Sequence, residues 1–201
     1  MKKYLKFSVF ALFLIGTLAS CNRTTVDGLG VNYGIFRVVD SNTAVMNGVI
    51  KGRSVSDFEF MMEDHPNVEK IVMEDCPGSK DDDANLEMAR EVFKEGIHFH
   101  LEDYSEIASG AVDLYLAGTK RTREPGSRIG VHSWADGNNN EASDYPKGHE
   151  EHQPYIDYFM SIGMSQQEAE DFYYFTVDAA PADDMHWMTE EEIDRFGLET
   201  E

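Results

Sequence analysis

Cysteine is scarce in this chain: Cys21 and Cys76 are the only two among 201 residues. No disulfide framework can organise it, so stability has to come from a packed core. Cationic side chains are also few, 17 Lys and Arg against 38 Asp and Glu, for a formal net charge of −21. That balance argues against nucleic acid or an anionic lipid surface as the principal partner. Apolar runs reduce to one long stretch, Phe7 to Leu18, which is too short for an ordinary transmembrane helix. There is no internal repeat, and no low-complexity tract beyond Asn138–Asn140.

What stands at the N-terminus reads as an address. Lys2, Lys3 and Lys6 precede the apolar run, which closes on Leu18-Ala19-Ser20-Cys21. A positive start, an apolar centre and a small-residue end are the parts of a signal peptide. The closing tetrapeptide resembles the bacterial lipobox, and that resemblance makes Cys21 the lipid-bearing first residue of the mature protein. The alternative is an uncleaved N-terminal anchor. In either case residues 1–20 stand outside the fold, and residues 21–34, polar and glycine-containing, form a tether. Removing the leader takes away three lysines and no acid, leaving 181 residues and a net charge of −24. That length suits one domain, residues 35–201. Attachment then comes from the lipid and not from a basic patch, which places the domain in the bacterial cell envelope, on the periplasmic or outer face of a membrane.

The domain alternates in character. Ile35 to Val39, Thr43 to Ile50, Ile71 to Met73, Ile97 to Leu101 and Arg128 to Val131 are apolar or β-branched and read as strands. Between them fall helical patterns. One is capped by Ser54 or Ser56 and runs to about Asp64, with Val55, Phe58, Phe60 and Met61–Met62 toward its buried face. A second runs from Ala84 to Lys94, with acids before it, Lys94 at its end and Gly96 stopping it. A third runs from Val112 to Ala117. Strand and helix at βαβ spacing predict an α/β fold with a mostly parallel sheet covered by helices. After His132 come a polar loop or lid, Asp136 to Gly148, and helices over Glu150 to Met160 and Gln166 to Val177. Thr189 with Glu190 to Glu192 then forms a capping box for a last helix that Gly197 ends.

Two residues of this series carry chemistry. Ser109 stands where the turn Ala108-Ser109-Gly110 becomes a helix, and His132 stands at a strand end. A serine hydroxyl is a poor nucleophile until an imidazole within hydrogen-bond reach takes its proton. Each residue has a plainer explanation, Ser109 as a helix N-cap and His132 as a polar strand terminus, but together they are two parts of a nucleophilic hydrolase. Other groups read as structural. Cys76 precedes the turn Pro77-Gly78 and has nothing basic beside it to lower its pKa, so it is a packed thiol. His98 and His100 share one face of a strand but have no evident third ligand, and no metal is assigned. Asp81 to Asp83 lack the spaced ligands and glycine of an EF-hand loop and read as a solvated helix start. His149 and His152 are placed on an exposed helix. Tyr155, Tyr158, Phe159 and Phe172 to Phe175 are placed in the core or a subunit contact.

The order of these features resembles the proteolytic subunit of the Clp protease, within the wider Clp/crotonase fold, from about Thr43 to Leu198. The carriers are the turn Cys76-Pro77-Gly78-Ser79, the Ala108-Ser109 turn, Leu116-Ala117-Gly118, and Gly126-Ser127-Arg128-Ile129-Gly130-Val131-His132, which ends 23 positions after Ser109. The resemblance implies a Clp/crotonase-like spiral of βαβ units. It makes Ser109 the nucleophile, His132 the general base, and Gly110 with the Gly78–Ser79 turn the backbone oxyanion donors. The family usually has a second glycine where Ser79 stands, and a serine tolerates positive φ badly. The family's aspartate lies shortly before an aromatic-apolar-Ser/Thr segment, here Trp187-Met188-Thr189. Counting back from Gly197 reaches Met185, so Asp184 is the expected third member, with Asp183 and then Asp178 behind it.

The resulting expectation is an envelope-anchored serine hydrolase, of peptidase type, acting on a peptide or a small ester or amide without a cofactor. The resemblance also allows a homo-oligomeric ring. The rival is a catalytically degenerate scaffold of the same fold that binds a peptide or protein. A crotonase-type acyl-CoA enzyme ranks third, since an envelope location and an acidic surface suit CoA poorly.

Overall fold

A computed structural model describes residues 30–138 and 140–200. The leader, Cys21 and most of the tether lie outside the described residues. No helix among the described residues is long and apolar enough to cross a membrane.

One eight-stranded sheet carries the fold. It opens with a small antiparallel meander, β1 (Val31–Tyr33), β2 (Phe36–Val38) and β3 (Thr43–Met46). Strands β4 (Lys70–Cys76) and β5 (His98–Ala108) then join β3 in parallel. The side chains of Ile71, Val72 and Met73 are all buried, as expected of a strand covered on both faces. Beyond β5 the sheet forks. Its first half, His98 to Leu101, pairs with β6 (Lys120–Arg123), and its last three residues pair with β7 (Arg128–Val131), both in parallel. The two-residue strand β8 (His186–Trp187) closes that edge antiparallel to β7. The expected mostly parallel sheet is therefore a mixed one flanked by helices, parallel at its centre and antiparallel at both ends.

Helices α1 (Ser54–Asp64), α2 (Asp82–Glu95) and α3 (Gly110–Leu116) fill the crossovers, with α1 against α2 and α2 against α3. The Asp81 side chain caps α2 by accepting from the Ala84 N–H, and Gly96, at φ 73°, ends it in the left-handed conformation. A 3-10 turn at Glu150–His152 leads into α4 (Gln153–Ser161), which packs on α5 (Gln166–Ala179). The predicted capping box before the last helix is present: Thr189 and Glu192 exchange bonds at the start of α6 (Glu190–Arg195). Arg121 ties that end of the chain to β6, donating to the Gly197 and Leu198 carbonyls at 2.9 and 2.8 Å.

Several boundaries differ from the sequence expectation, each for a physical reason. Residues 31–33, assigned to the tether, are strand β1, because the turn at Gly34 (φ 58°) folds them back onto β2. Strand β5 does not stop at Leu101. The polar run Glu102 to Ser105 breaks the apolar pattern because it forms an irregularity in the β4–β5 register, where the Ser105 hydroxyl donates to the Met73 carbonyl at 2.6 Å. Phe60 lies on the solvent side of α1 and is 52% exposed. His152 is buried and not on an exposed face: its Nδ1 lies 2.8 Å from the Tyr173 hydroxyl.

Candidate active site

Ser109 is delivered by the last residues of β5 and is followed at once by α3. Its backbone is at φ 53°, ψ −135°, and it is the one non-glycine residue at positive φ among the described residues. A β-substituted residue in that region is strained by about 1–3 kcal/mol and persists only where its surroundings hold it. The hold is visible. The Ser109 N–H donates to the Gly130 carbonyl at 2.9 Å, and its carbonyl accepts from the Val112 N–H at 2.8 Å. The Ser109 side chain makes no cap hydrogen bond to α3, so the N-cap explanation does not account for the hydroxyl. A sharp strand-to-helix turn that leaves a serine hydroxyl free is the geometry of a nucleophile elbow.

Two glycines make room for this turn. A Cβ on Gly78 would lie 2.8 Å from the Ser109 Cβ, and one on Gly110 would lie 2.4 Å from the Ser79 Oγ. The turn Pro77-Gly78-Ser79 therefore lies directly against the elbow. Its strained position is Gly78, at φ 123°, and not Ser79, whose φ is not positive. The serine found at the family's second glycine is thus accommodated without backbone strain. Neither the Ser79 nor the Gly110 N–H enters a backbone hydrogen bond among the described residues. The buried Asn85 of α2 steadies this corner by donating to the Gly110 carbonyl at 2.7 Å. Its Oδ1 has no partner among the described residues.

His132 follows β7, and with Ser109 it lines a cavity of about 280 Å³. Its Nδ1 is 3.1 Å from the Ala182 carbonyl. A carbonyl can only accept, so Nδ1 donates, and in the neutral ring Nε2 is then the acceptor. Ser109 Oγ and His132 do not hydrogen-bond in this structure. Among the described residues none of the expected carboxylates hydrogen-bonds to His132. Asp184 accepts from its neighbour's N–H, Met185 N, at 2.8 Å, Asp183 is exposed, and Asp178 pairs with Lys147 at 3.6 Å. No ion pair to His132 is formed among the described residues. The segment before Trp187 turns through Pro181 to Asp184, with the Asp184 N–H on the Pro181 carbonyl, and this presents the Ala182 carbonyl to the imidazole.

The remaining cavity walls went unrecognised in the sequence. Trp134, Tyr155, Phe159, Phe172 and Tyr173 line it, so part of the aromatic group assigned to the core faces the site. Tyr155 stacks between Trp134 (6.1 Å, 11°) and Tyr173 (5.5 Å, 20°). Asp82, assigned to a solvated helix start, also lines the cavity. It accepts from the Tyr155 hydroxyl at 2.8 Å and from the Ser79 hydroxyl. Burial, with the Asp82 charge second, pushes the Tyr155 hydroxyl well above its ordinary pKa. Asp113, one turn into α3, lines the cavity too. Burial first and the Asp82 charge second raise its carboxyl well above the usual range.

Cys76 and the His98–His100 pair have structural surroundings. Cys76 is fully buried, and burial pushes its thiol up to about 12, far from a reactive thiolate. His98 Nε2 and His100 Nδ1 both engage the Thr122 hydroxyl, at 2.9 and 2.8 Å.

No protein-family model and no curated protein sequence matches the chain. Solved structures do. A mutant of 1510-N, a membrane-bound stomatin-specific protease, aligns with TM-score 0.52 and 20% identity over 79% of this chain and 77% of that one. ClpP1 from Listeria monocytogenes aligns with TM-score 0.50 and 17% identity over 80% of this chain and 89% of that one. At such identities the likeness establishes the fold, a ClpP/crotonase-like α/β architecture.

Proposed function

We propose that this chain is an envelope-anchored serine hydrolase of peptidase type, with Ser109 as nucleophile and His132 as general base. The observation that carries the reading is the strained Ser109 elbow, opening on a cavity that it shares with His132. His132 Nε2 takes the Oγ proton as Ser109 attacks the substrate carbonyl carbon. The oxyanion that forms faces the N–H groups of Gly110 and Ser79, both without a backbone partner. His132 then returns the proton to the leaving group, and water attacks the acyl-serine by the same route in reverse. The Ala182 carbonyl fills the orienting role that a carboxylate, Asp184 or Asp183 in the sequence expectation, has in a triad. The structurally similar 1510-N is a protease by name, which supports the assignment.

A fluorophosphonate probe is expected to label the wild-type chain and not the Ser109→Ala variant; equal labelling of both, or of neither, refutes the assignment. Envelope anchoring through lipidated Cys21 rests on the leader sequence. It is tested by the mass of the mature N-terminus and by loss of membrane fractionation in Cys21→Ala. Homo-oligomer formation is part of the same proposal and is read by light scattering on the purified protein.

A second reading has its own observation, the missing bond between Ser109 Oγ and His132 together with the missing carboxylate. In it the cavity binds a peptide or partner protein without cleaving it. Peptide binding in the cavity with no probe labelling of Ser109 would favour it.

A further inference from the structure

Resting on the hydrolase reading above, we propose that the cavity beside Ser109 is a specificity pocket for a cationic side chain, lysine or arginine. Asp113 is its specificity-determining residue. Ser109 and Asp113 line the same cavity; Ser109 stands at the N-cap position of α3 and Asp113 lies four residues on, about 6 Å along the helix axis. That is within the span of the long stem that carries a lysine ammonium or an arginine guanidinium. A substrate whose carbonyl carbon meets Ser109 Oγ can therefore drop its own side chain toward the Asp113 carboxyl.

The carboxyl is free for such a partner. Tyr158 donates to the backbone carbonyl of Asp113 at 2.5 Å, but no hydrogen bond or ion pair reaches its side chain among the described residues. Among the described residues no Lys or Arg lines the cavity. An acid enclosed in this way is costly to ionise without a counter-charge. The titratable groups around it are Asp82 from α2, Tyr155 and Tyr158 from α4, Tyr173 from α5, and His132. None of these is a fixed cation. An entering ammonium or guanidinium supplies one, and any proton Asp113 holds leaves to solvent as the pair forms.

The walls suit the same ligand. Asp82 lines the same cavity and adds a second carboxylate for a cation to meet. The volume, about 280 Å³, is close to the lower end for small-ligand sites, about 300 Å³. That is room for one side chain and the scissile carbonyl. The net charge of −21 draws basic substrates toward the chain from a distance.

The test uses the full-length protein and paired fluorogenic peptides that differ only at the residue before the cleaved bond, lysine or the uncharged isostere norleucine. Lysine is expected to be favoured in kcat/KM by about 10- to 100-fold, the worth of one hydrogen-bonded charge pair. Asp113→Asn is expected to bring the ratio of lysine to norleucine kcat/KM, measured within the same variant, close to one. A wild type that cleaves norleucine as well as lysine, or an Asp113→Asn variant that keeps the preference, overturns the assignment. A second measurement separates this from the hydrolase reading. Ser109→Ala protein is titrated with p-aminobenzamidine, a planar cation, and binding is expected to disappear when Asp113→Asn is added. Absence of binding overturns the pocket even if Ser109 labels. Binding that depends on Asp113 supports the pocket even if Ser109 proves unreactive, and only the hydrolase reading then fails.

Discussion

Replacing Gly78 by alanine tests the close packing that shapes the elbow. Gly78 is at φ 123°, and a Cβ there would lie 2.8 Å from the Ser109 Cβ, 3.1 Å from the Ala108 carbonyl and 3.2 Å from the Ser109 Oγ. Gly163, between α4 and α5, is a matched control: its φ is 106° and a Cβ there meets nothing within 4 Å. The backbone penalty is common to both substitutions, about 1–3 kcal/mol. The clash is not, and overpacking against main chain adds about 1–3 kcal/mol. Gly163→Ala is therefore expected to lose about 1–3 kcal/mol and Gly78→Ala about 2–6 kcal/mol. A domain of ordinary stability, about 5–15 kcal/mol, tolerates the first loss and most of the range of the second. Urea unfolding of the two variants with equal slopes gives the difference directly. A second readout is the rate of fluorophosphonate labelling under native conditions. Displacing a reacting group by about 1 Å costs on the order of 10²-fold, so Gly78→Ala should label far more slowly while Gly163→Ala labels like the wild type. Equal stability losses with unchanged labelling would refute the claim that Gly78 exists to let Ser109 approach.

Three further outcomes follow from the site. Ser109→Gly should be more stable than Ser109→Ala by about 1 kcal/mol, because only glycine is at ease at positive φ; chemical denaturation decides it, and the opposite order would count against strain at the elbow. Burial raises the folded Asp113 carboxyl above its unfolded value of 3.8, so the folded state keeps a proton that the unfolded chain loses. The contribution of Asp113 to stability is then fully present below about pH 4 and is lost as pH rises toward its folded pKa. Asp113→Asn should gain in melting temperature over the wild type from about pH 4 to 7, and a constant difference across that range would contradict the assignment. Cys76, pushed up to about 12 by burial, should resist iodoacetamide at pH 8 until the chain is unfolded; site-resolved mass spectrometry showing rapid native alkylation would overturn its placement in the core.

The βαβ order, β7 at Arg128–Val131 and the Thr189 capping box were legible in the sequence because each has a local cause, a periodicity or a cap. The elbow was legible as a position but not as a conformation, since nothing in Ala108-Ser109-Gly110 announces φ 53° at the serine rather than at the glycine. The far half of β5 was hidden because Glu102 to Ser105 satisfy the backbone through Ser105 and not through regular pairing. The partner of His132 was not legible for a related reason. Sequence can flag a carboxylate, but a main-chain carbonyl such as that of Ala182 carries no letter of its own. The aromatic cavity wall was missed because periodicity places Tyr155 and Tyr173 on packed helix faces without saying what those faces cover.

The fork of the sheet at β5 separates two parts of the molecule by their resistance to opening. Ser109 hangs from a strand paired on both sides, with its amide hydrogen locked onto Gly130. That amide should therefore exchange with deuterium only on near-global unfolding. The walls from Tyr155, Phe159, Phe172 and Tyr173 belong instead to α4 and α5, which pack on each other outside the sheet. Such a pair can breathe, or change its side chains over generations, while the sheet that holds the serine stays closed. A lineage built on this plan can alter what enters the cavity without reopening the question of where the Ser109 hydroxyl sits.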